Sequence, residues 1–252
     1  MGEEIMNQPA AELPVTTEDS WLAANDFRSS SNWRIFRIMA EFVEGWHFLA
    51  DHKKTVTFFG SARLKPGTKW YTEASKLAKK LALDGFSIVT GGGPGIMEAA
   101  NRGAMEARHT MNGSGKKKAG ESIGLNIELP HEQRVNRYVM QSRGFHYFFV
   151  RKVMLSYHAR AYVFFPGGFG TLDETFELLT LIQTHKIDFL PVVLVGKEFW
   201  TPLVDWLNTT CYKKFNAIDK GDMNIYSLVD EVDDAYKIIS EWYTEKHPDP
   251  LR

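Results

Sequence analysis

The chain has almost no cysteine: Cys211 stands alone among 252 residues. That excludes an internal disulfide framework and fits a reducing compartment. No apolar run approaches the ~18 residues that a membrane span needs. The first residues, Met1-Gly-Glu-Glu-Ile-Met6, are acidic and lack the basic-then-apolar order of a secretory signal. Met6 also stands where the Met-Gly myristoylation pattern requires Ser or Thr. Excess charge is missing as well. Thirty Lys and Arg face 31 Asp and Glu, so no global field gathers nucleic acid or an anionic membrane. The eight histidines form no HExxH pair, and no tyrosine has a lysine four residues on. Zinc hydrolysis and short-chain dehydrogenase chemistry therefore find no support. A soluble, cytoplasmic protein without nucleic-acid or membrane partners is the expectation.

A chain of this length can bury a sizeable core as a single α/β domain. Residues 1–17, with Pro9, Pro14 and few large apolar groups, predict a mobile tail. Residues 18–52 predict an N-terminal helical extension, with a short helix near Trp21 and a longer one over 32–50. In the longer helix Trp33, Phe36, Met39, Phe42, Val43, Trp46 and Leu49 recur at helical spacing. Such a stripe is expected to be buried on the domain or against a second subunit. Residues 53–252 predict one domain in which β-rich runs (55–59, 86–90, 123–127, 161–165, 191–195) alternate with helical patterns. The helical stretches are 69–83, 95–108, 145–159, 171–185, 198–210 and 229–245. This alternation predicts a mainly parallel sheet flanked by helices on both faces. In such folds ligands lie outside the carboxyl ends of the strands.

Three strand exits carry chemistry-bearing residues. Phe59-Gly-Ser-Ala-Arg63 offers Ser61 and Arg63 at a turn. Thr90-Gly-Gly-Gly-Pro-Gly-Ile-Met-Glu98 packs four glycines before a helix, which points to positive φ or to a close backbone approach at positions such as Gly92 and Gly93. It is not the G-x-G-x-x-G dinucleotide fingerprint, because Gly91 and Gly93 are followed by Gly95. The third exit is Pro166-Gly-Gly-Phe-Gly-Thr-Leu-Asp-Glu174. A strand, a glycine loop and a helix start in that order assemble backbone N–H groups and a helix N-terminus around an anion. Thr171-Leu-Asp-Glu174 also matches a capping box, which would account for both residues by capping alone. Capping does not account for Gly167, Gly168 and Gly170 together. Both readings stand at this point. The lysine run at 116–118 follows a glycine-serine stretch, but its spacing is not that of a Walker A loop.

Phe148-Phe-Val-Arg-Lys-Val-Met-Leu155 adds two cations, Arg151 and Lys152, to a largely apolar helix. Cations there are costly unless they meet anions. Either Arg151 pairs with a buried carboxylate, or it meets a ligand together with Glu174.

Gly91-Gly-Gly-Pro-Gly-Ile-Met97, the Arg151-Lys152 pair and the Pro-Gly-Gly-Phe-Gly-Thr-Leu-Asp-Glu string together resemble the LOG (Lonely guy) family. That family comprises cytokinin riboside 5′-monophosphate phosphoribohydrolases, often labelled possible lysine decarboxylases. The resemblance covers residues 55–245. It implies a Rossmann-like, doubly wound fold, a homodimer or larger homo-oligomer, and hydrolysis of nucleoside 5′-monophosphates without a cofactor. It makes Arg151 and Glu174 the catalytic pair and places the 5′-phosphate on Gly168, Gly170 and Thr171. Ser61, Arg63, Gly92, Gly93, Glu132, Lys152, Gly167 and Thr180 are the further expected substrate contacts. The family's Met-His-x-Arg-Lys reads Phe-Phe-Val-Arg-Lys here, and the N-terminal 50 residues lie outside the resemblance.

Breaking a ribosyl C–N bond builds oxocarbenium character on the sugar. A carboxylate beside C1′ can stabilise that charge and orient or deprotonate water. A pyridoxal-phosphate decarboxylase is the weaker rival, because no lysine stands out as a Schiff-base former. A module that binds or senses a nucleotide without cleaving it is the serious one. The joint presence of Arg151 and Glu174 argues against it.

Overall fold

The computed structural model describes residues 31–111, 118–128 and 135–246. By its contacts the chain divides into one unit ending at Glu41 and another running from Phe42 onwards. The first helix, α1 (Ser31–Leu49), runs through that boundary. In the first unit its Trp33 and Phe36 rings meet edge to face. The expected tail, the short helix near Trp21 and the lysines at 116 and 117 lie outside the described residues.

The second unit is built on seven strands in the order β4-β3-β2-β1-β5-β6-β7, every neighbouring pair parallel. They are β1 (Thr55–Phe59), β2 (Ser87–Thr90), β3 (Ser122–Ile127), β4 (Gln141–Phe145), β5 (Ala161–Phe164), β6 (Val192–Val195) and β7 (Tyr226–Val229). Helices α2 (Lys69–Leu83), α3 (Ile96–Met111), α4 (Phe148–Tyr157), α5 (Phe169–Gln183), α6 (Lys197–Trp206) and α7 (Val232–Lys246) connect or follow them. After α6 the chain widens into a π-helical segment, Leu207–Lys214. This is the parallel sheet flanked by helices expected from the alternation, in the Rossmann-like, doubly wound form that the family resemblance implies.

Sequence accounts for the layers directly. Strand β1 is Thr-Val-Thr-Phe-Phe and is buried along its whole length, as a central parallel strand with helices on both faces must be. Alternate residues leave opposite faces. Val56 and Phe58 join Ala161, Val163 and Phe165 in a core with α2, α3 and α7, through Leu77, Leu81, Ile96, Ala104 and Ile239. On the other face Thr57 Oγ1 donates to the Leu155 carbonyl at 3.0 Å, which docks the last turn of α4 onto the sheet. The Tyr162 hydroxyl donates to the Ser156 carbonyl beside it.

Two strands escape the sequence pattern, β4 and β7, and both are edges of the sheet. β4 is Gln-Ser-Arg-Gly-Phe, with only Phe145 fully buried. β7 is Tyr-Ser-Leu-Val, with only Val229 buried. An edge strand covered on little of its surface has no need of a continuous apolar run.

The strand order fixes where a ligand can sit. From β1 the chain winds outwards through β2, β3 and β4, then returns to the other side of β1 as β5 and winds outwards again. The switch point lies between the C-terminal ends of β1 and β5, in register from Val56 opposite Ala161 to Phe59 opposite Phe164.

Candidate functional site

At that switch point lies an open cleft of about 590 Å³. Its floor is Phe58, Phe59 and Gly60, its near wall the loop bearing Ser61, Ala62 and Arg63, and its far wall the start of α5. Arg151, Phe148 and Leu155 of α4 close one side, with Gly91 and Met97. The two strand exits are stitched together: Ser61 N–H donates to the Pro166 carbonyl at 3.0 Å, and the Ser61 carbonyl accepts from Ile96 N–H at 3.0 Å. Gly95 makes that second contact possible. Its φ is +71°, and a Cβ there would stand 2.2 Å from the Ser61 carbonyl oxygen.

The glycine loop resolves the two readings of residues 166–174. Helix α5 begins at Phe169, its N-cap is Gly168, and no side chain caps it. The Gly168 carbonyl accepts from Thr171 and Leu172 N–H, both at 3.0 Å. Thr171 thus lies inside the first turn and Glu174 in the second, so the capping box does not form.

The three glycines do different work. A Cβ on Gly167 would lie 2.1 Å from Thr171 Oγ1, so this position is bare to let the helix turn pack. Cβ atoms on Gly168 and Gly170 would meet nothing within 4 Å, and neither residue has positive φ. The protein's own packing and backbone leave room for side chains at both.

Glu174 points into this environment with 5 % exposure. Its Oε2 is buried and has no hydrogen-bond partner among the described residues. Burial pushes the carboxyl up to about 8; Lys152 pulls it back, Glu177 repels it upwards and Arg151 pulls it back again. Arg151 is drawn below its ordinary range by burial, an effect that Glu174 opposes. Its Nε donates to the Leu125 carbonyl at 2.7 Å, and its guanidinium lies 5.9 Å from the Phe148 ring centroid. Gly91 makes room for it, since a Cβ there would stand 2.2 Å from one terminal nitrogen. Among the described residues Arg151 and Glu174 form no ion pair with each other. A guanidinium and a carboxyl on two walls of one cleft, without direct pairing, leave room for something between them.

Seven of the residues singled out from sequence meet at this cleft: Ser61, Arg63, Arg151, Gly168, Gly170, Thr171 and Glu174. Gly92 and Gly93 stand apart from it. Their carbonyls accept from the Asn136 amide nitrogen at 3.2 and 3.0 Å, and Gly92 takes a positive φ of 72°. Asn136 also donates to Asn101 Oδ1 at 3.0 Å, within a buried network that includes Thr90 and Ser122. Gly167 supports Thr171 rather than lining the cleft. Thr180 is exposed, and its hydroxyl donates within its own helix to the Phe176 carbonyl at 2.7 Å. Lys152 lies 2.8 Å from Asp173 and 3.0 Å from Glu177. Glu132 lies outside the described residues.

Two aromatic residues of the cleft received no role from sequence. Phe169 is 92 % exposed and Phe148 is 53 % exposed, and both border the cleft. An apolar ring between two glycines in an open loop was the available signal for Phe169.

The fold and the cleft define a class: a Rossmann-like α/β protein with a glycine loop and a buried acid at its topological switch point. Within that class, the family described as "Possible lysine decarboxylase" matches residues 97–239, and the chain belongs to it. Among curated relatives, the cytokinin riboside 5′-monophosphate phosphoribohydrolase of Rhodococcoides fascians is 26 % identical over 163 residues, 64 % of this chain and 78 % of that one. The enzyme of the same name, LOG, from Oryza sativa subsp. japonica is 26 % identical over 171 residues, 66 % of this chain and 65 % of that one. Among solved structures, the molybdenum cofactor binding protein of Rippkaea orientalis is 20 % identical and covers 75 % of this chain and 96 % of its own, with a TM-score of 0.53. The molybdenum cofactor carrier protein of Chlamydomonas reinhardtii is 22 % identical over 76 % of this chain and 99 % of its own, with a TM-score of 0.53. These two are similar in fold. Among the described residues, no helix is long and apolar enough to cross a membrane.

Proposed function

We propose that this chain hydrolyses the N-glycosidic bond of nucleoside 5′-monophosphates, releasing the free base and ribose 5-phosphate. The carrying observation is Glu174: a carboxyl buried at 5 % exposure, one helical turn beyond two glycines that the fold itself does not require, and unpaired with the guanidinium across the cleft. The relatives named for phosphoribohydrolysis support the same reading.

The 5′-phosphate rests on the N–H groups of residues 168–171 and the first turn of α5, where the helix N-terminus favours a doubly charged anion. Binding there supplies remote energy that positions C1′. Glu174 faces the ribose. In its ionised form it stabilises positive charge growing at C1′ and accepts a proton from the attacking water. The C1′–N bond breaks as the C1′–O bond forms. Electrons from the broken bond stay with the base, which regains a proton from solvent. Arg151, whose terminal nitrogens have no hydrogen-bond partner among the described residues and which lies beside Phe148, donates to the departing base and steadies its charge. A carboxyl held near 8 is poised between proton donor and acceptor at neutral pH.

The test is incubation with AMP, GMP, CMP and isopentenyl-AMP, separating free base from nucleotide by chromatography. Release of base and ribose 5-phosphate, reduced about 10²–10⁴-fold in Glu174→Gln, is expected. Tight nucleotide binding with no cleavage of any of the four would overturn the proposal in favour of a binding module. Ordinary purine monophosphates are the preferred substrates on this reading. A homodimer goes with it, supported by the exposed aromatic side chains Trp46 and Tyr157, whose rings lie 5.8 Å apart on neighbouring helices. Light scattering that returned a monomer would contradict that part.

A further inference from the structure

Lys152 follows Arg151 in sequence but spends its charge inside the protein. Its side chain is 17 % exposed, and its ammonium lies 2.8 Å from Asp173 Oδ2 and 3.0 Å from Glu177 Oε2. Both carboxylates stand on α5 on either side of Glu174 in sequence, and Glu177 follows it at a spacing that places neighbours on one helix face. Among the described residues Lys152 is the one ion-paired side chain that joins α4 to α5. It therefore ties the helix that presents Arg151 to the helix that presents Glu174.

We propose that Lys152 is a positioning residue for Glu174: clamped by Asp173 and Glu177, it fixes α4 against α5 beside the cleft and keeps a positive charge next to the Glu174 carboxyl, without itself binding the substrate phosphate. This rests on Glu174 being the reacting carboxylate.

The charges around Glu174 make the role specific. Arg151 and Lys152 face it from α4, and Asp173 and Glu177 crowd it from its own helix. Arg63, from the loop after β1, borders the same cleft. Tyr162 of β5, held by the Ser156 carbonyl, lies near Glu177. Two carboxylates beside a third oppose its ionisation. Lys152 offsets that repulsion through direct contacts with both, and its own ammonium is held up at about 12: burial lowers it, but the hydrogen bond to Asp173, the ion pair with Glu177 and the nearby Glu174 together outweigh burial. Removing the ammonium while leaving the two carboxylates makes Glu174 harder to ionise and loosens the link between the two reacting walls.

Two readouts on full-length Lys152→Met and Lys152→Arg test this. The first needs no substrate: carbon-13 NMR titration of the Glu174 side-chain carboxyl. In Lys152→Met its midpoint moves alkaline by about one pH unit or more, and in Lys152→Arg it stays within about half a unit of the parent. The second is AMP hydrolysis. Lys152→Met loses about 10-fold in kcat at pH 7 and recovers at higher pH, with KM within about 2-fold. A midpoint that does not move, or a KM that rises about 10-fold at unchanged kcat, overturns the proposal and returns Lys152 to the phosphate. Should Lys152→Met fail to fold, the Asp173→Asn, Glu177→Gln double variant carries the test. Its Glu174 midpoint moves acidic as the freed ammonium turns to Glu174, and an unmoved midpoint is again refuting. The titration is readable even in a protein that cleaves no nucleotide, so failure of the catalytic reading and failure of this one give different results.

Discussion

Glu174→Gln should make the protein more stable, and more so the higher the pH. The side chain is buried at 5 % exposure with Oε2 unpartnered among the described residues, and burial lifts its carboxyl from 4.5 to about 8. A group whose pKa is raised by folding binds its proton more tightly in the native state. Its contribution is fully present below about pH 4.5 and is lost as pH climbs through about 8. At ~1.4 kcal/mol per decade the full shift corresponds to a ceiling of about 5 kcal/mol. Because the cleft admits water at its open side, about 3 kcal/mol is the expected size. Glutamine has nearly the same shape and nothing to ionise, so the variant escapes this loss. The assay is urea unfolding of both proteins at pH 5 and pH 9, the remaining titrating groups being shared and cancelling. The midpoints should nearly coincide at pH 5 and separate by about 1 M at pH 9, given a slope of ~2–3 kcal/mol per molar urea for a domain of this size. Parallel loss of stability in the two proteins would refute the claim that burial of Glu174 outweighs the pull of Lys152 and Arg151.

Activity should respond to the same group in the opposite sense. With Glu174 ionised in the reacting form, kcat/KM for AMP rises with pH and levels off above about 8, and Glu174→Gln lowers kcat by about 10²–10⁴-fold. A profile that falls across that range would make Glu174 a proton donor instead. Gly168→Ala and Gly170→Ala should leave the melting temperature nearly unchanged, since their added Cβ atoms meet nothing within 4 Å, yet raise KM for AMP about 10-fold or more by crowding the phosphate. Gly167→Ala should show the reverse emphasis: its Cβ falls 2.1 Å from Thr171 Oγ1, and thermal denaturation should reveal a loss of ~1–3 kcal/mol. Asn101→Leu takes one hydrogen bond each from Thr90, Ser122 and Asn136, which all bond to the Asn101 amide, and leaves each with its remaining partners. Denaturant titration should show about 2–4 kcal/mol of destabilisation.

The buried strands and most helix positions were legible because burial leaves a periodic mark. The run 55–59 is apolar or threonine throughout and became β1 unchanged. Strands β4 and β7 left no such mark because they are edges, and Arg143 and Ser227 are tolerated where little covers them. The boundary of α5 was misjudged by two residues, 171 against Phe169, because Thr171-x-x-Glu174 mimics a capping box. That small displacement decides whether Glu174 is a cap or a buried acid. Arg151 and Lys152 are adjacent in sequence and chemically alike, and only the third dimension separates a guanidinium facing the cleft from an ammonium clamped by Asp173 and Glu177. Gly92 and Gly93 likewise look like Gly168 and Gly170 on paper. Asn136, more than forty residues away, holds their carbonyls.

The stitch from Ser61 N–H to the Pro166 carbonyl has a kinetic side. It joins the two windings of the sheet across more than a hundred residues, and the Thr57 hydroxyl reaches a comparable distance along the chain to Leu155. Contacts of such long sequence separation are slow to form, because loop closure must precede the gain from contact. Neither winding holds the cleft by itself: β1 brings its floor and β5 its glycine loop. During refolding, helical signal should return first and nucleotide binding last, which makes ligand affinity a reporter of the final step of the fold.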